Sequence, residues 1–590
     1  MNTRKKVIAA VGLVGVMTLT AACGGSSKPS GGSSSGTGST KSSFNAAVTS
    51  VLNPSTKKGG TLNLWASQDA DSWDPVRAYY AFAWDMQRLY TRTLVAYPSA
   101  TGTAGLKLTP DIASAMPTIS ADGKTYTFKL KSGIKFDDGT PVTSKDIKYG
   151  IERGFAQDIL PGGPYYLPTI LDEGQKYPGP YKDTDPNKLG LKSVQTPDDS
   201  TIVFNLKAPS ADFLSYLAMG SAAPVEKSKD TGATYQQHPG STGPYKIDSY
   251  SPNKSVTFVR NPNWDPSTDT IRKALPDKIN VTITTNADDL DSRLLAGTAD
   301  LDIGQVGVQT AAQAKVLTNP TLKAYTDDAP NGFIRYISMQ TKVAPFDNVH
   351  CRKAVEYAVN GTDLQTARGG PVAGALATNM LPPNILGHDS YDPYNLAAGK
   401  PQIDKAKAEL ALCGKPNGFT TTVAVRNNKP KEVKEGEALQ AALKNVGITV
   451  NIDQYDGAQS SSVIGAPANV HKKGYGLIVF GWGADFPTAS GFLGVLIDGR
   501  QILPAGNNNY SEINDPAINA LIDDAAKQTD PAASAADYTK INHMVMDQAL
   551  YIPVVYDQAL NYRNPRLTNV VFEQAFGMID FQALGVSDGK

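Results

Sequence analysis

Polar and apolar positions change rhythm several times along the chain, and each change marks an element. The first is an apolar run from Val7 to Ala22, preceded by Arg4, Lys5 and Lys6 and ending in Ala21-Ala22-Cys23. A charged head, an apolar middle and a small-residue end make an export signal over residues 1–22, and a run of about 16 residues is short of the roughly 20 that span a bilayer. From Gly24 to Ser43 the chain is almost wholly Ser, Gly, Thr and Lys, which buries too little apolar surface to offset the entropy of ordering. Residues 23–58 are therefore expected to form a flexible tether. Folded patterning begins at Gly59. Thr61–Trp65 alternates, predicting a strand with Leu62 and Leu64 on one face, and a loop follows to Pro75. Tyr126, Phe128 and Leu130, then Ile134 and Phe136, alternate on both sides of Lys131-Ser132-Gly133, which predicts a β-hairpin there. Thr143-Ser144-Lys145-Asp146 has capping-box spacing and opens a helix carrying Ile147 and Ile151. Thr201–Lys207 alternates again, so residues 101–221 read as a mixed α/β unit.

The second half alternates helical periodicity with apolar strands. Val433, Leu439, Ala442, Leu443 and Val446 share a helical face, Gly447 is placed to end that helix, and Ile448, Val450 and Ile452 alternate as a strand. Tyr475–Phe480 is continuously apolar, as a strand buried on both faces would be, and runs into Gly481-Trp482-Gly483-Ala484-Asp485. Ligands in open α/β sheets sit beyond the carboxyl ends of strands, which puts Trp482 and Asp485 where a ligand would lie.

Charge narrows the function. The 56 basic and 56 acidic residues balance, so a basic face for nucleic acid is not expected. The five histidines are scattered without metal-ligand spacing, Gly123-Lys124-Thr125 lacks the earlier glycine of a phosphate loop and reads as a hairpin turn, and Asp69-Ala70-Asp71 has Trp73 at the next ligand position of a calcium loop. No catalytic residue, metal or cofactor is expected. Cys351 and Cys413 are an even pair in an exported chain: one disulfide closing a loop of 62 residues, or two buried thiols.

Several blocks, in order, resemble the extracellular solute-binding proteins, family 5, of ABC importers, typified by oligopeptide- and dipeptide-binding proteins. They are Asp122–Leu130 with Gly133–Val142, Ser241–Tyr245, Arg260–Trp264, Gly297–Asp302, Ala344–Asp347, and Arg352–Ala354 with Tyr357-Ala358. Thr20-Ala21-Ala22-Cys23 resembles a lipobox, with Thr20 where leucine is usual, which implies lipidation of Cys23 and a place on the extracytoplasmic face of the bacterial cell membrane.

The resemblance implies an α/β fold: a two-lobed type II periplasmic-binding-protein clamshell with an extra α/β domain inserted in the first lobe. Residues 59–100, 222–325 and 556–590 would form the first lobe, 101–221 the insertion and 326–555 the second lobe. The hinge would lie near Thr326–Ile334 and Ile552–Leu560. A ligand touching both lobes would favour the closed state, which a permease senses. By likeness to peptide-binding members, Asp485 would receive a ligand's α-ammonium group, Gly481 to Gly483 would offer backbone to an extended peptide, and Trp482, Trp65, Ser67 and Gln68 would face the cleft. The implied partners are a peptide or other small solute, an ABC permease and the bilayer through Cys23, with the protein a monomer. Oligosaccharide, nickel-complex and opine binders share the scaffold and remain open as alternatives, with a secreted hydrolase more remote.

Overall fold

Three larger sheets organise residues 42–589 of this computed structural model, which describes that span apart from residues 162, 285, 428 and 505. The signal segment, Cys23 and the tether as far as residue 41 lie outside the described residues. Among the described residues no helix is long and apolar enough to cross a membrane.

The five-stranded sheet is built on Thr61–Ala66, whose alternation is realised with Leu62, Leu64 and Ala66 buried. Lys278–Ile283 and Leu301–Asp302 flank it in parallel, and Ser255–Arg260 and Tyr245–Ser251 continue the sheet antiparallel. Its core includes Trp73, Tyr90 and Phe258. Ser241 is a packed turn residue here, its hydroxyl donating to Tyr90 O at 2.8 Å.

The six-stranded sheet holds Tyr475–Gly483 between Thr326–Met339, antiparallel, and Thr420–Arg426, parallel. Cover on both faces explains why Tyr475 to Val479 are apolar without alternation. Helix Pro430–Lys444 leads into strand Thr449–Tyr455, and Gly447 makes the turn at φ +83°, where a Cβ would lie 2.6 Å from Asn417 O. Cys351 and Cys413 are joined by a disulfide with Cα atoms 5.2 Å apart, tying helix Val349–Ala358 to the end of helix Ile403–Leu412.

The four-stranded sheet corrects one expectation. Thr125–Lys129 does not turn back on Ile134 and Phe136; it pairs with Thr118–Ile119 through the turn at Gly123 and with the distant Thr201–Asn205. Alternation fits any partner strand, and this one sets Tyr126 opposite Phe204 and Phe128 opposite Ile202, all four buried. Ile134 and Phe136 are buried from a loop. The capping box of Thr143 and Asp146 is formed at the start of helix Ser144–Arg153, and Ile147 and Ile151 enter this unit's own core.

Two long antiparallel strands, Thr326–Met339 and Tyr551–Tyr562, connect the first two cores. Ala329 belongs to the core of the five-stranded sheet, whereas Ile334, Tyr336 and Ile552 belong to the core of the six-stranded sheet. Their register shifts between Pro330 and Ile334, so the pair is interrupted between the two cores.

The tether is shorter than expected. Residues 42–58 are not a free linker: Ala47 and Leu52 are buried, Leu52 bridges Val570, and Ala47 N–H donates to Asp327 Oδ1 at 2.9 Å. Ala47, Val48, Val51 and Leu52 interrupt the Ser/Gly composition, and they supply the apolar surface that ordering requires.

Glu356, on helix Val349–Ala358, is buried with neither carboxyl oxygen partnered. Burial, then the charge of Asp392, holds its pKa well above the usual 4.5. Above pH 4.5 the unfolded chain releases this proton and the native state keeps it, so stability falls as pH rises toward the folded value. Glu356→Met removes the linkage and two unpaired oxygens. Thermal unfolding should show the variant more stable by about 1–3 kcal/mol at neutral pH, with the advantage shrinking toward pH 4; an equal or lower midpoint at pH 7 would contradict this account.

Candidate functional site

Asp485 lies two residues past the strand Tyr475–Gly483, and side chains from two other parts of the chain converge on it. Tyr79 donates its phenol to Asp485 Oδ2 at 2.6 Å, and Tyr166 donates to the same oxygen. Tyr79 follows the first strand of the five-stranded sheet and is placed by Asp71, whose Oδ2 accepts from Tyr79 N–H at 2.7 Å. The Asp69–Asp71 segment thus shapes a loop: Asp69 accepts from Trp73 Nε1 at 3.3 Å and from the Tyr250 phenol at 3.0 Å. Tyr166 opens helix Tyr166–Leu171, its ring stacked on Tyr216 at 5.0 Å and edge-on to Phe486 at 5.3 Å. Burial, then the charge of Asp485, pushes both phenols far up, so both remain donors at physiological pH. With both on Oδ2, no donor reaches Oδ1 among the described residues, and no Lys, Arg or His there forms an ion pair with Asp485.

Two small cavities flank the segment Asp485-Phe486-Pro487. One, of about 30 Å³, is lined by Gln87, Arg88, Thr91, Ser215 and Arg272 among others; the second, of about 40 Å³, by Asn331, Phe333 and Asn384; Trp84 and Phe576 line both. A larger space of about 640 Å³ lies on the other side of Tyr166 and Phe486, against Asp212, Tyr216, Ser490 and Tyr538.

Gly481, Trp482 and Gly483 continue the strand. They pair with Arg335, Ile334 and Phe333 on one edge, while pairing with Thr420–Arg426 on the other ends at Ile478. The backbone from Phe480 to Gly483 therefore has an open edge among the described residues. Both glycines have packing reasons as well: a Cβ would lie 2.7 Å from Arg335 Cδ at Gly481 and 2.7 Å from the Phe333 ring at Gly483. Trp482 packs on the core of its sheet, and its indole Nε1 is buried without a partner. Trp65 is placed apart from this group, under Arg293 with its guanidinium 5.2 Å from the ring and beside Leu290 and Leu294. Ser67 is half-buried and Gln68 exposed, and none of the three lines the cavities that flank Asp485.

Asp85, Glu573 and Asp580 are close enough together to suggest a cation site. Arg88 supplies that charge: its Nη1 reaches Asp85 Oδ1 at 2.7 Å, Glu573 Oε2 at 2.5 Å and Asp580 Oδ1 at 3.5 Å. This network ties helix Ala81–Gln87 to the C-terminal strands behind the cavity.

Tyr79, Tyr166, Trp84 and Gln87 were not anticipated. The one available signal was the pair of adjacent tyrosines at 79–80 and again at 165–166, of which Tyr79, Tyr80 and Tyr165 are 46%, 43% and 49% exposed.

Residues 107–502, about two-thirds of the chain, match the family model described as bacterial extracellular solute-binding proteins, family 5. The chain belongs to this family. Proteins similar to it include heme-binding protein A of Haemophilus influenzae, 30% identical over 80% of this chain and 83% of its own length. Glutathione-binding protein GsiB of Escherichia coli K12 is 27% identical over 76% of this chain and 81% of its own. Among solved structures, clavulanic acid biosynthesis oligopeptide binding protein 2 superposes with TM-score 0.87 at 43% identity, covering 93% of this chain and 99% of that one. The unliganded open form of the murein tripeptide binding protein MppA superposes with TM-score 0.74 at 20% identity, a likeness of fold, and covers 91% of this chain and 99% of that one. The protein is thus a family 5 solute-binding protein with a bilobed periplasmic-binding-protein fold. It acts outside the cytoplasm, capturing a small solute for delivery to an ABC permease, a role consistent with binding without catalysis.

Proposed function

We propose that the protein captures oligopeptides with a free amino terminus, and that Asp485 receives the ammonium group. The observation that carries this reading is a carboxylate fixed through one oxygen by Tyr79 and Tyr166, with its other oxygen free and no basic side chain paired to it. A bound ammonium supplies the missing charge and donors, and a charge-assisted hydrogen bond is roughly twice as strong as a neutral one. The open edge at Gly481 to Gly483 would pair with the peptide backbone as a strand does. Names of similar proteins support the class, since oligopeptide and glutathione binders are among them.

In this reading the lobes have the boundaries given above, residues 101–221 form an insertion in the first lobe, and closure occurs about the paired crossings at Thr326–Ile334 and Ile552–Leu560. The register break between Pro330 and Ile334 fits such a hinge. Cys23 is the lipid anchor, the protein works as a monomer, and no bond of the solute is broken. Isothermal titration with a free tripeptide and its N-acetylated form tests the ammonium role: acetylation should weaken binding at least tenfold, and equal affinities would remove that role. Native mass spectrometry of the purified protein identifies a co-purifying solute; a sugar, opine, metal complex or heme in place of a peptide would overturn the peptide class, and hydrolysis of any ligand would overturn the binding role.

A further inference from the structure

We propose that Gln87 reads a primary carboxamide on the first residue of the bound peptide, making the protein selective for asparagine or glutamine side chains at that position. The inference rests on the peptide reading above and deepens it.

Gln87 ends helix Ala81–Gln87, is 1% exposed, and has neither Oε1 nor Nε2 partnered. An amide left without partners in a protein interior is costly, and a polar ligand group reaching it would remove that cost. Its position is specific. A Cβ at Gly220 would lie 2.0 Å from Gln87 Oε1, so the amide sits in a notch that only glycine leaves open. Gln87 and Gly220 are both among the residues that line the cavity Asp485 lines, and about 30 Å³ is room for one small polar group or roughly two waters. A peptide whose ammonium is on Asp485 has its first side chain as the nearest group able to enter.

The chemistry of the walls selects the group. Arg88 and Arg272 line the cavity, but Arg88 already contacts three carboxylates and Arg272 contacts two, Asp111 and Asp269. No positive charge is left over for a ligand carboxylate. Gln87 presents a vacant donor and a vacant acceptor side by side. A trans peptide bond carries its C=O and N–H on opposite sides and cannot meet both. A primary carboxamide carries them on one side and can, giving two neutral hydrogen bonds. Across the Asp485 segment, the second cavity repeats the theme with Asn384, whose Oδ1 is buried and unpartnered.

The test compares the tripeptides Asn-Ala-Ala, Asp-Ala-Ala and Leu-Ala-Ala by isothermal titration on the full chain and on Gln87→Met, which keeps the side-chain volume. The parent should bind the asparagine peptide about tenfold more tightly than the leucine and aspartate peptides, and Gln87→Met should erase that difference. If the methionine variant does not fold, Gln87→Asn, shorter by one methylene, gives the same readout. Equal binding of all three by the parent, or a preference that survives substitution, overturns the Gln87 assignment and leaves the peptide reading standing. Failure of the parent to bind any of the three or a mixed tripeptide library overturns the peptide reading and this inference with it.

Discussion

Asp485→Asn is expected to raise the dissociation constant of a free tripeptide about 30-fold, on the order of 2 kcal/mol, as when one partner of a desolvated charge pair is neutralised. The substitution preserves shape, and the asparagine oxygen can still accept from Tyr79 and Tyr166, so the wall between the cavities is kept. What changes is the side facing the ligand: an NH₂ group would meet the ammonium, donor against donor, with no charge to offset its lost hydration. A double-mutant cycle isolates this contact. The N-acetylated peptide should bind both proteins weakly and about equally, because the partner is already missing. If Asp485→Asn weakened the free and acetylated peptides by the same factor, the carboxylate would be shaping the site without meeting the amine.

Removing the disulfide should have a larger effect on stability. The bond closes a loop of 62 residues, and the chain-entropy model assigns such a closure about 4 kcal/mol. The double variant Cys351→Ala/Cys413→Ala should therefore unfold its six-stranded-sheet unit well below the parent, while the five-stranded unit, which contains neither cysteine, changes little. Calorimetry separates these transitions, which a single midpoint would merge. Reductant should lower the same transition in the parent and leave the variant unmoved. Coincident scans for parent and variant would show that the crosslink contributes nothing. Cys351 is fully buried, so part of any loss is the cavity left by its sulfur, and the reductant arm distinguishes that part.

How far local pattern reaches is clear from particular residues. Leu62 and Leu64, the Thr143–Asp146 capping box, the helix ended by Gly447 and the twice-covered strand at Tyr475 all follow from neighbours within a few positions, where backbone geometry and side-chain burial set the pattern. The failed hairpin at Lys131–Gly133 marks the limit. Tyr126 and Phe128 announce a strand with one buried face, but their partners are Phe204 and Ile202, more than seventy residues away, and alternation carries no label for its partner.

The site divides in the same way. Asp485 and Trp482 could be picked out because a ligand belongs at the end of a buried strand, and that rule needs only the local sequence. Tyr79 and Tyr166 could not, because they come from segments 406 and 319 residues away in the chain. Gln87 is an ordinary amide in the sequence; only burial beside a cavity, with both polar atoms unpaired and Gly220 leaving it space, gives it significance. The sequence alone determined most of the elements and the family, since these depend on short-range periodicity and on blocks read in order. Tertiary structure decided which hydrogen bonds are left vacant around Asp485, because an unsatisfied group is defined by everything packed around it.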